Sequence, residues 1–231
     1  MSAQSQSTGA RPNFGLGVYV VLAPEHAGGH DLAALARMAA AGGASLIQLR
    51  DKRANVGESL AALRAVRAAL APFGIPCLVN DRVDLALAGG ADGVHLGQDD
   101  MPVPEARELL GEGAIIGLTV RSLAEAEAAP LELLDYVSIG GVFPTGSKKH
   151  VDNPIGLEGL QRIAAALRAR RALPLAAISG ITAARAGAVV AAGVDGVAVI
   201  TAVSEAADPV AATTAIKAAV EAQHQSAAKG S

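Results

Sequence analysis

The chain has 231 residues, of which 51% are hydrophobic and 18% charged, enough apolar material for one large globular core. Its net charge of −3 gives no electrostatic reason to expect nucleic acid or an anionic membrane as a partner, so any anion must be met by a local cluster of donors. The single cysteine, Cys77, excludes an internal disulfide and a cysteine metal knuckle, and agrees with a cytoplasmic setting.

The first residues, 1–14, are polar, lack the apolar stretch of a secretory signal, and read as a disordered extension. From there short β-branched runs alternate with longer alanine- and leucine-rich patterns of helical period. The spacing predicts strands starting at Gly17, Leu46, Cys77, Gly93, Ile115, Tyr136, Leu175 and Gly196. Between them it predicts helices over Asp31–Ala41, Glu58–Ala71, Pro104–Leu110, Leu123–Ala129, Leu157–Arg170, Ala183–Ala192 and Pro209–Gln223, with a shorter turn over Val83–Ala88. Residues 224–231 read as a disordered tail, which leaves one domain over 15–223. No apolar run of about 18 residues interrupts the pattern, so a membrane span is not expected.

Two segments are alike: AGGADGVHLGQ at Ala88–Gln98 and AAGVDGVAVIT at Ala191–Thr201. Each ends a helix on glycine, turns through Asp-Gly and enters an apolar strand. Repeated βα units with near-continuous apolar strands imply a parallel sheet covered by helices. Eight such units make a single (βα)8 TIM barrel the expected α/β fold. A doubly wound open sheet is the alternative, weakened because no G-x-G-x-x-G follows the first strand.

In a barrel of this kind the reacting groups sit at the carboxyl ends of the strands. The second strand ends in Gln48-Leu49-Arg50-Asp51-Lys52, where alternation puts Gln48, Arg50 and Lys52 on one face, able to converge on an anion; a solvated loop with an Arg–Asp pair is the plainer reading. The third strand ends in Asn80-Asp81-Arg82 and the fourth in Gly97-Gln98-Asp99-Asp100. Asp81 and one of Asp99 and Asp100 can then approach across neighbouring strand ends, the hard oxygen donor set that Mg²⁺ prefers. Each aspartate taken singly is equally well a helix cap or a turn residue. His95 and Cys77 read as interior residues.

After the sixth strand, Gly140–Lys149 combines two glycines, hydroxyls at Thr145 and Ser147, and the charge of Lys148, a phosphate-loop composition without a Walker frame. The loops after strands seven and eight, around Ser179-Gly180 and Ile200-Thr201, occupy the recurrent monophosphate cradle of the fold, although Ser179 and Thr182 also suit helix capping.

Taken in order, QLRDK, LVNDRVDLALAGGADGVHLGQDDMP, GGVFPTGSKK and SGIT…DGVAVIT resemble the thiamine-phosphate synthase family, within the superfamily that also holds thiazole tautomerases. The resemblance implies a transferase of thiamine biosynthesis. It would couple a hydroxymethylpyrimidine diphosphate to a thiazole phosphate, with Mg²⁺ as cofactor, by a dissociative substitution that releases diphosphate. It implies that Gln48, Leu49, Arg50, Asp51, Lys52, Asn80, Thr119 and Lys148 meet the pyrimidine diphosphate, with Arg50, Lys52 and Lys148 the catalytic cations. Asp81 and Asp100 would bind the metal. Thr145, Gly146, Ser147, Gly180, Ile200 and Thr201 would hold the thiazole phosphate. Partners are then small phosphorylated substrates, with no nucleic acid or membrane; a homo-oligomer is left open. Four positions depart from the common pattern: Thr119 for serine, Arg121 for histidine, Ser147 for threonine and Ser179 for glycine. A tautomerase-like isomerase on the same barrel would need an acid–base group where Arg121 stands and no paired aspartates. A non-catalytic phosphate sensor would need fewer charged groups.

Overall fold

The structure, a computed structural model, describes residues 14–146 and 153–229. Eight parallel strands form a closed barrel in chain order: β1 (Val18–Leu22), β2 (Leu46–Leu49), β3 (Cys77–Asn80), β4 (Gly93–Leu96), β5 (Ile115–Val120), β6 (Tyr136–Ile139), β7 (Leu175–Ile178) and β8 (Gly196–Val199). The helices outside it are α1 (Leu32–Ala41), α2 (Val56–Leu70), α3 (Val83–Gly89), α4 (Val103–Leu110), α5 (Leu123–Ala128), α6 (Gly156–Arg170), α7 (Ala183–Ala191), α8 (Thr201–Ser204) and α9 (Pro209–Lys229). Each strand begins within one residue of where the sequence pattern puts it. Among the described residues no helix is long and apolar enough to cross a membrane.

The strands are apolar on both faces because alternation gives them two buried destinations. Val18, Val20 and Leu22 of β1, Ile47 and Leu49 of β2 and Val197 and Val199 of β8 point outward into the layer shared with the helices. Tyr19, Leu46, Leu78, Ile115, Tyr136 and Ala176 point inward and fill the barrel. Toward the carboxyl ends the inward set turns polar, and that change of character creates the site.

The amino-terminal face is tied by aspartates that precede alternate strands. Asp92 accepts a hydrogen bond from the Cys77 N–H at 2.8 Å, Asp135 from Ile116 at 2.8 Å, and Asp195 from Leu175 at 2.7 Å. The Asp-Gly turns noted at Asp92 and Asp195 are therefore strand-to-strand ties as well as turns. Cys77, 1% exposed, is core as expected, and burial pushes its thiol up to about 12.

Two boundaries are corrected. Phe14 does not belong to an extension: its ring packs edge-on against Tyr136 with centroids 5.9 Å apart, closing the barrel floor. His224–Lys229 are not a disordered tail, since they continue α9 with exposed side chains, and nothing there stops a helix of alanine, glutamine and lysine. The four-residue α8 is an addition too short to show a hydrophobic period.

Candidate functional site

A cavity of about 370 Å³ opens at the carboxyl end of the barrel. Its floor is made by Tyr19, Gln48, His95, Thr119 and Ser138, and its mouth by Arg50, Lys52, Asn80, Asp81, Asp99, Asp100 and Arg121. The floor carries hydroxyl, amide and imidazole groups, whereas the mouth carries carboxylates and cations. That arrangement suits a ligand with a heterocycle at depth and a charged tail above it.

At the mouth, Lys52 Nζ lies 3.1 Å from Asp81 Oδ2. Asp81 has φ +64°, a left-handed conformation that aspartate tolerates better than most residues, and its N–H donates to the His95 carbonyl at 2.8 Å. It does not cap the helix that follows: Arg82 holds the cap position of α3, with no side-chain cap bond. Asp100 accepts from the Gly97 N–H at 2.6 Å, and its carboxyl stands within interaction range of the Asp81 carboxyl. Of the two aspartates the sequence left open, Asp100 is therefore the one paired with Asp81. Burial first, then the neighbouring Asp81 carboxyl, hold the Asp100 carboxyl above the usual carboxylate range, while the Gly97 N–H and Lys52 work against this. Two carboxylates that must share a proton or a cation fit a hard divalent ion, which would remove their mutual repulsion. Among the described residues no group of three or more His, Cys, Asp or Glu side chains is placed to hold a metal, so further oxygens would have to come from ligand or water.

Arg50 is 9% exposed and is held by Glu25, whose Oε1 accepts from Nη1 at 2.9 Å. Glu25, in the short turn after β1, carries no sequence signal for this role, because the pairing spans 25 residues. Arg121 lines the mouth as a further cation, and its backbone N–H donates to Glu125 Oε2 at 2.6 Å.

Not every residue of the QLRDK segment reaches the cavity. Leu49 points outward, buried between sheet and helices, and its side chain does not line the cavity. Asp51 is likewise turned away to cap its own loop, accepting from Arg53 and Ala54 N–H groups at 2.9 and 3.0 Å. A contiguous motif on a strand end necessarily alternates between faces.

A second, small pocket is lined by Thr145, Ser179, Gly180, Thr201 and Ala202, and it shares Ile178 and Ile200 with the first. Gly180 has φ +63°, and a Cβ there would lie 2.4 Å from the Pro144 carbonyl oxygen, so only glycine fits. Ser179 has φ +98°, and its hydroxyl oxygen accepts from the Gly141 N–H at 3.1 Å, locking the loop after β6 to the loop after β7. Gly146 is described but does not line either pocket. Ser147 and Lys148 lie outside the described residues.

The sequence profile of the family described as thiamine monophosphate synthase matches residues 18–203, from β1 through α8. The chain is 49% identical over 189 residues to the thiamine-phosphate synthase of Agrobacterium fabrum, covering 81% of this chain and 86% of that protein. It is 44% identical over 200 residues to the thiamine-phosphate synthase of Moorella thermoacetica, covering 87% and 93% respectively. Among solved structures, a thiamine phosphate pyrophosphorylase from Pyrococcus furiosus superposes with a TM-score of 0.79 at 38% identity, covering 90% of this chain and 96% of that one. With a match that runs through every strand of the barrel, the chain belongs to the thiamine monophosphate synthase family and is a transferase.

Proposed function

We propose that the protein couples a pyrimidine diphosphate to a thiazole phosphate, forming thiamine phosphate and releasing diphosphate. The observation that carries this reading is the pair of adjoining pockets that share Ile178 and Ile200. One has a polar floor and a charged mouth, and the other is a glycine- and hydroxyl-lined cradle. Two ligands bound there would meet across that shared wall, as a bimolecular coupling requires.

Each group has a part in that chemistry. Gln48 and Thr119 on the floor present an amide and a hydroxyl to the pyrimidine, and Asn80 adds a hydrogen-bonding amide at the mouth. The diphosphate lies at the mouth, where Arg50 and Lys52 offset the charge that grows on it as the methylene carbon–oxygen bond breaks. Lys148, by the family resemblance, adds a third cation. Asp81 and Asp100 would hold Mg²⁺, which when bound supplies further neutralisation of the leaving diphosphate. The thiazole phosphate rests against Thr145, Gly180, Ile200 and Thr201, with Gly146 and Ser147 as further contacts by the family resemblance, and its ring nitrogen attacks the methylene carbon. No protein nucleophile is needed. His95, the histidine on the cavity floor, has its ring nitrogens engaged by Tyr136 and Thr119, which suits a structural role better than isomerase acid–base work.

Purified protein incubated with both substrates and Mg²⁺ should release thiamine phosphate and diphosphate in equal amounts. Chelation of the metal should stop turnover. Asp81→Asn, which keeps a residue tolerant of positive φ, should lose at least about 100-fold in rate while unfolding at nearly the same denaturant concentration. Full activity of this variant without magnesium would overturn the metal assignment, and absence of product from the wild-type protein would overturn the reaction.

A further inference from the structure

The reaction just proposed uses Gln48 and Thr119 but none of the groups between them. Those groups form one continuous chain across the barrel. The Gln48 amide nitrogen donates to the Tyr19 hydroxyl. The Tyr19 oxygen lies 3.1 Å from the Tyr136 oxygen, which lies 2.7 Å from His95 Nδ1. His95 Nε2 lies 2.7 Å from Thr119 Oγ1. The five side chains come from β1, β2, β4, β5 and β6, and none is more than 8% exposed.

Counting protons gives the chain a direction. An amide nitrogen only donates, so the Tyr19 oxygen accepts from Gln48, and the Tyr136 oxygen is, among the described residues, the acceptor within reach of its single proton. Tyr136 in turn has one proton to give to His95 Nδ1. A neutral imidazole that accepts at Nδ1 carries its proton on Nε2, and that N–H points at the Thr119 oxygen. Thr119, having accepted, keeps its own proton for another acceptor, and its side chain lines the cavity. Gln48, having donated, presents its amide oxygen. Burial raises both tyrosine hydroxyls well above their ordinary range, so neither ionises to break the chain.

The barrel is also built around the central link. Gly117 faces Tyr136 in register on one side and His95 on the other. A Cβ at Gly117 would lie 2.1 Å from Tyr136 Cζ, so the phenol ring occupies the space a side chain would fill.

We propose that this chain is a one-way hydrogen-bond relay that sets the Thr119 hydroxyl as a donor and the Gln48 amide oxygen as an acceptor toward the substrate, with Tyr19, Tyr136 and His95 as positioning residues. The proposal rests on the reading of this cavity as the pyrimidine diphosphate site. Both groups lie on the floor with the heterocycle, where an aminopyrimidine offers an N–H to the Gln48 oxygen and a ring nitrogen that accepts from Thr119. The polarity matches the substrate at both ends.

The test begins without substrate. Protein labelled with nitrogen-15 in histidine, with His95 assigned by comparison with a His95→Asn variant, should show His95 as the neutral Nε2–H tautomer in long-range proton–nitrogen spectra. Tyr136→Phe removes the donor to Nδ1 and should mix the tautomers. In turnover it should lower kcat/KM for the pyrimidine diphosphate about tenfold and leave KM for the thiazole phosphate unchanged. Because both changes act through one hydroxyl, Tyr136→Phe added to Thr119→Val should cost little beyond Thr119→Val alone. An Nδ1–H tautomer in the wild-type protein overturns the relay, since the reversed chain spends the Thr119 proton on the ring. Strictly additive losses in the double variant overturn the coupling to Thr119. The tautomer is read on the free protein, so failure of the synthase assay and failure of the relay are separate results.

Discussion

Ser179 shows how a single residue can be strained and useful at once. Its φ of +98° costs a residue with a Cβ roughly 1 kcal/mol, and glycine would escape that cost. In return its hydroxyl satisfies the N–H of Gly141, a buried residue, joining the two loops that frame the smaller pocket. The two effects are of similar size, so Ser179→Gly should unfold within about 1 kcal/mol of the wild type. Ser179→Ala keeps the strain and orphans the Gly141 N–H, and should lose about 1–3 kcal/mol. Chemical denaturation of the two variants gives the order directly. An alanine variant as stable as the glycine variant would mean the hydroxyl contributes nothing. The substituted glycine of the family pattern was visible in the sequence, but its consequence was not, because the partner N–H lies 38 residues away.

At the scale of elements, the aspartates before β4, β6 and β8 perform one task in two environments. Asp135 and Arg107 are each only 5% exposed in their side chains, with Arg107 Nη2 2.7 Å from Asp135 Oδ2, and the guanidinium also donates to the carbonyls of Gly111, Ala114 and Leu133. Asp195 makes the corresponding tie to β7, but its ion pair with Arg168 is over 40% exposed on both sides. Removing one partner of a buried pair leaves an uncompensated charge, whereas a solvated pair is replaced by water. Asp135→Ala should therefore cost about 3–5 kcal/mol. Asp195→Ala should lose roughly 1–2 kcal/mol, mostly through the Leu175 N–H it leaves without its acceptor. Thermal unfolding of both variants tests the ranking. The strands themselves were legible because each is a short apolar run between turn signals, and period-two alternation also separated Gln48 and Arg50 from Leu49. The family motif joined what that alternation separates, and so Leu49 and Asp51 entered the expected contact set. The Glu25–Arg50 pair and the tyrosine–histidine chain were not legible, because pairings across a closed barrel leave no periodic trace in sequence. One clue existed: both tyrosines of the chain sit inside apolar strand runs, where a hydroxyl needs a partner.

For the whole molecule, closure of the barrel has to be matched by closure of the helical layer, and α9 performs that step. As the helix of the last βα unit it packs on both α7 and α1, bridging the seventh and first units. The approach to α1 is close: a Cβ on Gly42, at the end of α1, would lie 2.6 Å from Thr213 Cβ, and the Thr214 hydroxyl donates to the Gly42 carbonyl at 3.3 Å. The buried residues of α9 are Pro209, Thr213, Ile216 and Val220, a stripe at helical spacing that ends before His224. Past that point every described side chain is exposed. The energetic content of the helix should therefore stop where the stripe stops. Deleting residues 224–231 should leave Tm within about 2 °C, because a solvated helix end contributes little beyond its own fraying. Ile216→Ala, by contrast, opens a cavity under the bridge and should cost about 3 kcal/mol, roughly 6–12 °C for a chain of this size. The loss should be felt as one cooperative transition, since α9 holds the two edges of a single closed layer rather than a module of its own. Calorimetry of the two variants settles both points. A tail deletion that lowers Tm as much as Ile216→Ala would place the anchoring of the layer in the exposed end of α9 instead of in its buried stripe.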